Sequence, residues 1–385
     1  MRLTERTSDC LYLDYNAATP SDPRVVDALN HALLTLPGNP SNRHHRFGRD
    51  ASVALNAARA EVARLFDGCH YQVIFTSGAT EALNLALVGM RPARVLVNAT
   101  EHRAVLELCR TLAHGGAHVE KLPVDADGRV DLAFLAFALK EPASLVVLQW
   151  CNSETGVLQP LDEALELAHA HGVPLLCDAG QAVGKVPISL LRRSVDMLVA
   201  SSHKIYAPPG VGVLMLRENT MAGRLRPVLY GGGQEFGLRP GTENVPHIVA
   251  FVRALELAVG EQDFDSRRIR TIRDAFEARL TAMTTNVVFN GVGANRIANT
   301  SNFSLINGQV AELLNQLTNV AVSTGSACES DDPRPSHVLR AMGRSVHLAA
   351  NAVRVSFGRF TADMDGVVAA NRIATAIHEL QVEAP

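Results

Sequence analysis

Long uninterrupted apolar runs are missing from this sequence of 385 residues, 47% of them hydrophobic. No N-terminal stretch resembles a signal peptide, and every apolar segment is too short or too interrupted to span a bilayer. A chain of this size can build one large domain and a smaller one, each with its own core. We therefore expect a cytoplasmic, enzyme-sized globular protein with no membrane partner.

A strong net charge is missing too. The formal net charge is -3 at pH 7, which gives no overall attraction to nucleic acid or to an anionic membrane. We expect no direct nucleic-acid binding, and partners have to be inferred from individual sites.

Paired cysteines are also absent. Six cysteines stand at positions 10, 69, 109, 151, 177 and 328 without a CxxC pair, so neither a disulfide framework nor a metal site is predicted. Cys177 lies in an apolar run and is expected to be a small buried side chain. Cys328 instead lies among small and polar residues (STGSACESDDP, 323–333), a composition that predicts a mobile loop with an accessible thiol.

Short apolar strands alternate with segments of helical periodicity over the first two thirds of the chain. The strands are expected at 72–76, 94–98, 144–150, 174–178, 195–201 and 211–216. This alternation predicts an α/β domain with a mainly parallel sheet between helices. The last two strands are joined by a loop too short for a crossover helix, so one antiparallel strand is expected there.

Two long amphipathic helices, 245–259 and 266–283, precede shorter strands and helices. We predict a large domain at 15–260 and a smaller α+β domain made of 1–14 and 261–385, which carries Cys328.

Polar residues directly follow five of the expected strands, where ligands bind in open α/β sheets. In order along the chain they are Ser77, Gly78, Ala79 and Thr80; His102; Asn152; Asp178 and Gln181; and Ser201, Ser202, His203 and Lys204. Five loops are thus expected to converge on one pocket.

Three of these positions suggest a particular cofactor. Gly78 opens a helix, whose free N–H groups suit a phosphate, although an ordinary helix cap is the alternative. Asp178 ends an apolar strand, where a carboxylate needs a cation such as the protonated ring nitrogen of pyridoxal phosphate, or else caps a helix. Lys204 next to apolar Ile205 would have a lowered pKa that favours imine formation, unless it is a solvated lysine.

At this point the chain resembles a known family nearly end to end. The matching segments are LDYNAATP, GNPSNRHHRFGR, FTSGATEALNLA, TEHRAVL, CNSETGVLQP, CDAGQAVGKVP, SSHKIYAPPGVG, GGGQEFGLRPGTEN, STGSACES and VRVSFGRFT. They resemble cysteine desulfurases of the NifS/IscS type, which are class V aminotransferase-like, fold-type I enzymes dependent on pyridoxal phosphate. The resemblance implies that fold, with a large domain around a seven-stranded sheet.

The resemblance also implies residue roles. Lys204 would hold the cofactor as a Schiff base, Asp178 would contact the ring nitrogen, Gln181 the ring hydroxyl, and His102 would stack on the ring and move protons. The residues implied at the phosphate are Gly78, Ala79, Thr80, Ser201 and His203, with Thr242 reaching the phosphate of the other subunit of a homodimer. Asn152 and Arg354 would bind the substrate, and Asn152 would also contact the cofactor.

The implied reaction converts L-cysteine to L-alanine and leaves the sulfur on Cys328 as a persulfide. A sulfur-acceptor protein would then receive it. Iron-sulfur cluster assembly, tRNA thiolation, cofactor sulfuration and DNA phosphorothioation all remain open as destinations.

Three departures from the family pattern favour a dedicated acceptor. The chain ends at Pro385 soon after its last expected helix, where housekeeping members carry an extension that docks on the cluster scaffold. Ser202 replaces a frequent glycine, and acidic residues at 329, 331 and 332 follow the nucleophile.

Two alternatives stay open on sequence alone. One is another class V enzyme, such as an aminotransferase, a selenocysteine lyase or an epimerase, in which Cys328 is no nucleophile. The other is a non-catalytic scaffold of a sulfur pathway.

Overall fold

The structure is a computed structural model that describes residues 10–221, 223–324 and 334–383. Cys328 and the acidic residues after it lie outside the described residues.

Helices and strands alternate along the first part of the chain. In order, these elements are β1 (Leu11–Tyr12), α1 (Pro23–Thr35), α2 (Arg46–Leu65), β2 (Tyr71–Thr76), α3 (Ala79–Met90), β3 (Arg94–Asn98), α4 (Arg103–His114), β4 (His118–Leu122), α5 (Leu132–Ala138), β5 (Leu145–Gln149), α6 (Leu161–Ala170), β6 (Leu175–Asp178), α7 (Leu190–Arg193), β7 (Met197–Ser201), β8 (Gly212–Arg217) and α8 (Glu218–Met221). A short 3-10 helix, Ser202–Lys204, follows β7 directly.

The second part of the chain is richer in helix. Its elements are α9 (Val245–Gly260), α10 (Gln262–Met283), β9 (Val287–Phe289), β10 (Thr300–Leu305), α11 (Val310–Gln316), β11 (Val320–Ala321), β12 (Ser323–Thr324), α12 (His337–Ala341), α13 (Val346–Ala350), β13 (Ala352–Ser356) and α14 (Asp365–Glu383). A second 3-10 helix, Glu235–Gly237, precedes α9.

Within the described ranges the larger sheet has seven strands, in the order β2-β8-β7-β6-β5-β3-β4. Only β8 runs antiparallel to its neighbours, which confirms the mainly parallel sheet and the antiparallel strand after the Lys204 loop. Strand β4 was not predicted from the sequence, because polar and apolar residues alternate only weakly in its segment HVEKL. A polar edge strand is nevertheless stable, since it needs a partner on one side only and its charges discourage pairing on the other.

The larger sheet is buried on both faces, as its apolar strands require. In β8, Val213 and Met215 pack into a core with helices α2 and α9. Leu214 and Leu216 point the other way, into a core that includes α3 and α4. Because β3, β5, β6 and β7 are parallel, their carboxyl ends lie at one rim of this sheet, between the two layers of helices.

A second core lies around the smaller antiparallel sheet, whose strand order is β12-β13-β10-β9. Phe276 of α10 contacts Phe303 and Phe357 there, and α14 packs against α10. Strand β1 pairs in parallel with β11, and Leu11 and Leu13 are buried in the same core. The residue boundaries given above for the two domains remain a prediction.

Two phenylalanines on α10 offer a test of this second core. Phe276 is 0% exposed and Phe264 is 63% exposed. We expect Phe276→Ala to lower the free energy of unfolding by about 3–5 kcal/mol, because it removes a buried ring and leaves a cavity. Phe264→Ala, the matched control, should change it by at most about 0.5 kcal/mol. Urea unfolding checks both, and equal losses would contradict this packing.

Candidate active site

A cavity of about 490 Å³ opens at the rim where β2, β3, β5, β6 and β7 end. This volume falls within the ~300–1,000 Å³ typical of small-molecule sites. The sequence-predicted residues in its wall are Gly78, Ala79, Thr80, His102, Asp178, Gln181, Ser201, His203, Lys204 and Arg354. His337, Val338 and Arg354 close it from the C-terminal part of the chain. The five loops therefore converge as expected, while the roles of their residues remain predictions.

Two predicted site residues that the structure describes, Asn152 and Thr242, are not in this wall. Asn152 is 1% exposed, donates to the Thr100 carbonyl at 3.0 Å and accepts from the Glu154 N–H at 2.9 Å. Its neighbours on both sides line the cavity instead. Thr242 is exposed on a separate segment, and Cys328 lies outside the described residues.

Lys204 is held by backbone carbonyls. It ends the 3-10 helix after β7, and its Nζ donates to the carbonyl oxygens of Asn16 at 2.5 Å and Ala17 at 2.7 Å. The amine is thereby fixed at the cavity wall by hydrogen bonds to two backbone carbonyls.

Asn16 links this lysine to the rest of the molecule and was given no role from sequence. Its carbonyl also accepts from Gln181 Nε2 at 2.9 Å. Its side-chain nitrogen donates to Thr300 Oγ1 at 2.8 Å and to the Ser153 carbonyl at 3.2 Å, while its Oδ1 accepts from Asn299 Nδ2 at 2.9 Å. Asn16 is 1% exposed, so a buried amide joins the Lys204 loop to β10. The only sequence signal was its place in the segment LDYNAATP.

The N-terminus of α3 suits an anion. Gly78 is its N-cap and makes no side-chain cap hydrogen bond, and Gly78, Ala79 and Thr80 line the cavity, so the positive end of the helix dipole lies at the cavity wall. A Cβ at Gly212 would come within 2.4 Å of the Gly78 carbonyl carbon. Strand β8 therefore begins directly against this turn, which only a glycine permits.

Ser201 and His203 stand beside the same turn. Ser201 Oγ and His203 Nδ1 are 2.9 Å apart. Burial, with the nearby charges of Lys204 and His102, lowers the pKa of His203 to about 4. At neutral pH His203 is therefore an uncharged hydrogen-bonding group.

His102 is the N-cap of α4, and its Nδ1 accepts from the Ala104 N–H at 3.1 Å. Because that nitrogen acts as the acceptor, the neutral ring carries its proton on Nε2. The ring is thus fixed in one tautomer at the cavity wall.

Two carboxyl groups lie at the floor of the cavity. Asp178 ends β6, and its Oδ1 accepts from the Gly180 N–H at 2.9 Å. Glu101, 0% exposed, accepts from the Gln149 N–H at 2.5 Å through Oε1, whereas its Oε2 has no partner among the described residues. Burial and the nearby Asp178 raise the pKa of Glu101 well above its usual range. Glu101 was missed because its burial and its neighbours Gln149 and Asp178 come from parts of the chain that are distant in sequence.

The wall residues fit pyridoxal phosphate. An uncapped helix terminus with a neutral histidine and a serine suits the phosphate. An amine and a strand-end carboxylate suit its aldehyde and its ring nitrogen. No group of three or more His, Cys, Asp or Glu side chains that could hold a metal occurs in the ranges that the structure describes.

The cysteines in the described part of the chain are all free thiols. Cys151 lines the cavity, but burial raises its pKa to about 12, and the nearby Asp178 adds to this. Cys177 is 0% exposed, which confirms that it is a buried core side chain, and burial raises its pKa as well. Both remain protonated, and a thiol is a much poorer nucleophile than a thiolate.

Comparison with known families supports the predicted resemblance. The profile of the family described as "Aminotransferase class-V" matches residues 11–367. The chain is 40% identical to the "Cysteine desulfurase, mitochondrial" of Arabidopsis thaliana over 357 residues, which is 91% of this chain and 79% of that protein. It is 36% identical to the "Cysteine desulfurase IscS" of Rickettsia africae (strain ESF-5), covering 97% of this chain and 93% of the relative.

Solved structures agree with these relatives. A "NIFS-LIKE PROTEIN" superposes with a TM-score of 0.88 at 31% identity, covering 96% of this chain and all (100%) of the other. A structure described as "SspA in complex with cysteine" gives a TM-score of 0.80 at 29% identity, with 91% of this chain and 100% of that chain covered. They confirm the expected fold-type I architecture.

Glu101 gives a pH-dependent prediction. Because its folded-state pKa is raised, protonation of Glu101 favours the folded state, and this contribution is lost as the pH rises above its unfolded pKa. Glu101→Gln mimics the neutral acid, so we expect its stability relative to wild type to grow above about pH 4.5, by up to about 1.4 kcal/mol per pH unit.

Urea unfolding at several pH values between 5 and 8 measures this difference. Glu379→Gln, at an exposed position on α14, is the control and should follow wild type at every pH. A Glu101→Gln curve parallel to wild type would show that Glu101 is charged in the folded protein.

Proposed function

The chain belongs to the aminotransferase class-V family, among its cysteine desulfurases, and we propose that it removes sulfur from L-cysteine with Lys204, His102 and Cys328 as its catalytic residues. One observation carries this proposal: Lys204, Asp178 and Arg354 line the same cavity. The amine suits the aldehyde of pyridoxal phosphate, the acid suits its ring nitrogen, and the guanidinium suits the carboxylate of an amino acid.

The proposed cofactor is pyridoxal phosphate, on which the family depends. Gly78, Ala79, Thr80, Ser201 and His203 would hold its phosphate. Asp178 would pair with the ring nitrogen, Gln181 would contact the ring hydroxyl, and His102 would lie on the ring. Asn152 would contact the cofactor once its amide releases the Thr100 carbonyl. Thr242, exposed and outside this cavity, would reach the phosphate bound in the other subunit of a homodimer.

Bound there, the cofactor supplies an aldehyde that captures amines and a ring that accepts electrons from the adjoining carbon. Arg354 would bind the carboxylate of cysteine and thereby orient its α-carbon toward Lys204, with Asn152 as a second donor once its amide releases the Thr100 carbonyl. Lys204 Nζ would take the proton from that carbon, and the fixed tautomer of His102 would present an N–H toward the reacting atoms.

Cys328 is the proposed sulfur acceptor. Its thiolate would attack the substrate sulfur, so that a sulfur–sulfur bond forms and the carbon–sulfur bond breaks with its electron pair going to the carbon, which takes up a proton and becomes the methyl group of L-alanine. L-alanine leaves, and a persulfide stays on Cys328 until an acceptor thiol takes it. Among the described residues, the buried Cys151 is a cysteine that lines the cavity and could be considered as the sulfur acceptor, but its raised pKa disfavours that role.

The partners of this proposal are L-cysteine, a second copy of the chain and a sulfur-acceptor protein, with no direct nucleic-acid contact. Iron-sulfur cluster assembly, tRNA thiolation and DNA phosphorothioation are the acceptor pathways we consider. In the described ranges no helix is long and apolar enough to cross a membrane. We propose a cytoplasmic location, while the Arabidopsis relative is named mitochondrial.

Replacing the nucleophile tests the sulfur chemistry. We expect Cys328→Ala to keep the absorbance of the bound cofactor but to lose alanine formation from cysteine by at least about a hundredfold, because the sulfur then has no acceptor. Cys69→Ala, at an exposed cysteine, is the matched control and should behave as wild type. Unchanged alanine formation in Cys328→Ala would refute the assignment.

Replacing the lysine tests cofactor attachment. After borohydride reduction, peptide mass spectrometry should find the cofactor bound to Lys204 in wild type and on no lysine in Lys204→Ala, since only an amine in the cavity can capture the aldehyde. The exposed Lys140 supplies the control Lys140→Ala, which should label normally. A cofactor adduct on another lysine of wild type would overturn the role of Lys204.

A further inference from the structure

Arg354 does not stand alone in the cavity wall. It lies in β13, between β12 and β10, and is 3% exposed. Its NH2 nitrogen lies 2.7 Å from Asp14 Oδ1 and its NH1 nitrogen 3.2 Å from the Ser153 carbonyl. A guanidinium buried this far is costly unless an anion compensates its charge. In this structure Asp14 supplies that anion.

Asp14 reaches Arg354 because the N-terminal segment runs beside the end of β13. Asp14 forms a parallel bridge with Ser356, and the Ser356 N–H donates to the Leu13 carbonyl at 2.8 Å. Arg354 and Ser356 share one face of the strand. The backbone pairing thus places the carboxylate of Asp14 next to the guanidinium.

The two partners of Arg354 leave part of its donor set for a ligand. Asp14 and the Ser153 carbonyl each take one N–H of a terminal nitrogen, out of the five that a guanidinium carries. The Nε of Arg354 is buried and has no partner among the described residues. Arg354 lines the cavity, whereas Asp14 is not among the described residues of its wall. Asp14 therefore contacts the arginine from outside the described wall of the cavity.

We propose that Asp14 is a positioning residue, which holds the guanidinium of Arg354 in the orientation that binds the carboxylate of the amino-acid substrate. The inference rests on the proposed function, in which Arg354 binds that carboxylate. Asp14 touches neither substrate nor cofactor. It fixes the buried guanidinium of Arg354 before the substrate arrives, so that less conformational entropy is lost when the substrate binds.

The opposite effect on substrate binding is expected if Asp14 and the substrate carboxylate compete for Arg354. If Asp14 occupied the place of the substrate carboxylate, its removal would free Arg354 and tighten substrate binding. If Asp14 positions Arg354, its removal loosens the guanidinium and weakens the binding only of ligands that carry a carboxylate.

The test uses the cofactor-loaded full chain and two ligands. L-alanine carries a carboxylate and L-alaninamide does not, and the absorbance of the bound cofactor reports both dissociation constants. For Asp14→Ala we expect about tenfold weaker L-alanine binding, because a charged hydrogen bond to Arg354 is lost. L-alaninamide should bind as to wild type. The KM for cysteine should rise by a similar factor, with kcat within about twofold of wild type.

Asp14→Asn keeps an oxygen acceptor without the charge, so its L-alanine affinity should fall between those of Asp14→Ala and wild type. Asp363→Ala removes an exposed partner of Arg268 and controls for the loss of an ion pair outside the cavity wall. Tighter L-alanine binding in Asp14→Ala, an unchanged affinity, or an equal loss for L-alaninamide would each overturn the inference.

Failure of this inference is distinguishable from failure of the proposed function. If the wild type forms no alanine from cysteine, the proposed function is wrong whatever Asp14 does. If the wild type is active and Asp14→Ala binds L-alanine normally, only the role of Asp14 is wrong.

Discussion

The hydrogen bonds from Lys204 Nζ to the carbonyls of Asn16 and Ala17 are the interaction on which the site depends. The segment around Asn16 thereby helps to hold the half-buried amine at the cavity wall. That segment is in turn held by Thr300 of β10 and by the pairing of β1 with β11. The reactive lysine, which follows a strand of the large sheet, thus depends on the packing of the second core.

The Asn16 carbonyl that accepts from Lys204 also fixes the neighbouring amide of Gln181. Gln181 donates through Nε2 to the Asn16 carbonyl, and its Oε1 accepts from Lys185 Nζ, so the amide cannot rotate without losing both contacts. Burial lowers the pKa of Lys185 to about 7. The cavity therefore has a second amine behind its wall that can lose its proton near neutral pH and still donate a hydrogen bond through its remaining N–H groups.

Most of the sheet and much of the cavity wall could be predicted from the sequence, because buried parallel strands are nearly continuous apolar runs with polar residues at their ends. Asp178 and Lys204 stood out for that reason. Asn16, Glu101 and Asp14 did not, since what matters for each is a contact with a residue far away in the chain. Asn152 shows the converse: its position after β5 was read correctly, yet its side chain is taken up by Thr100 and by its own loop.

Strand β8 lies between β2 and β7, with opposite faces packed into two different cores. It begins at Gly212, where no side chain fits against Gly78. Successive strand residues point to opposite faces, so a one-residue shift of β8 in its pairing with β2 and β7 would exchange the side chains of the two cores and move the glycine away from the turn. The short connection from Lys204 to Gly212 therefore sets two things at once, namely where the amine stands at the cavity and which side chains each core receives.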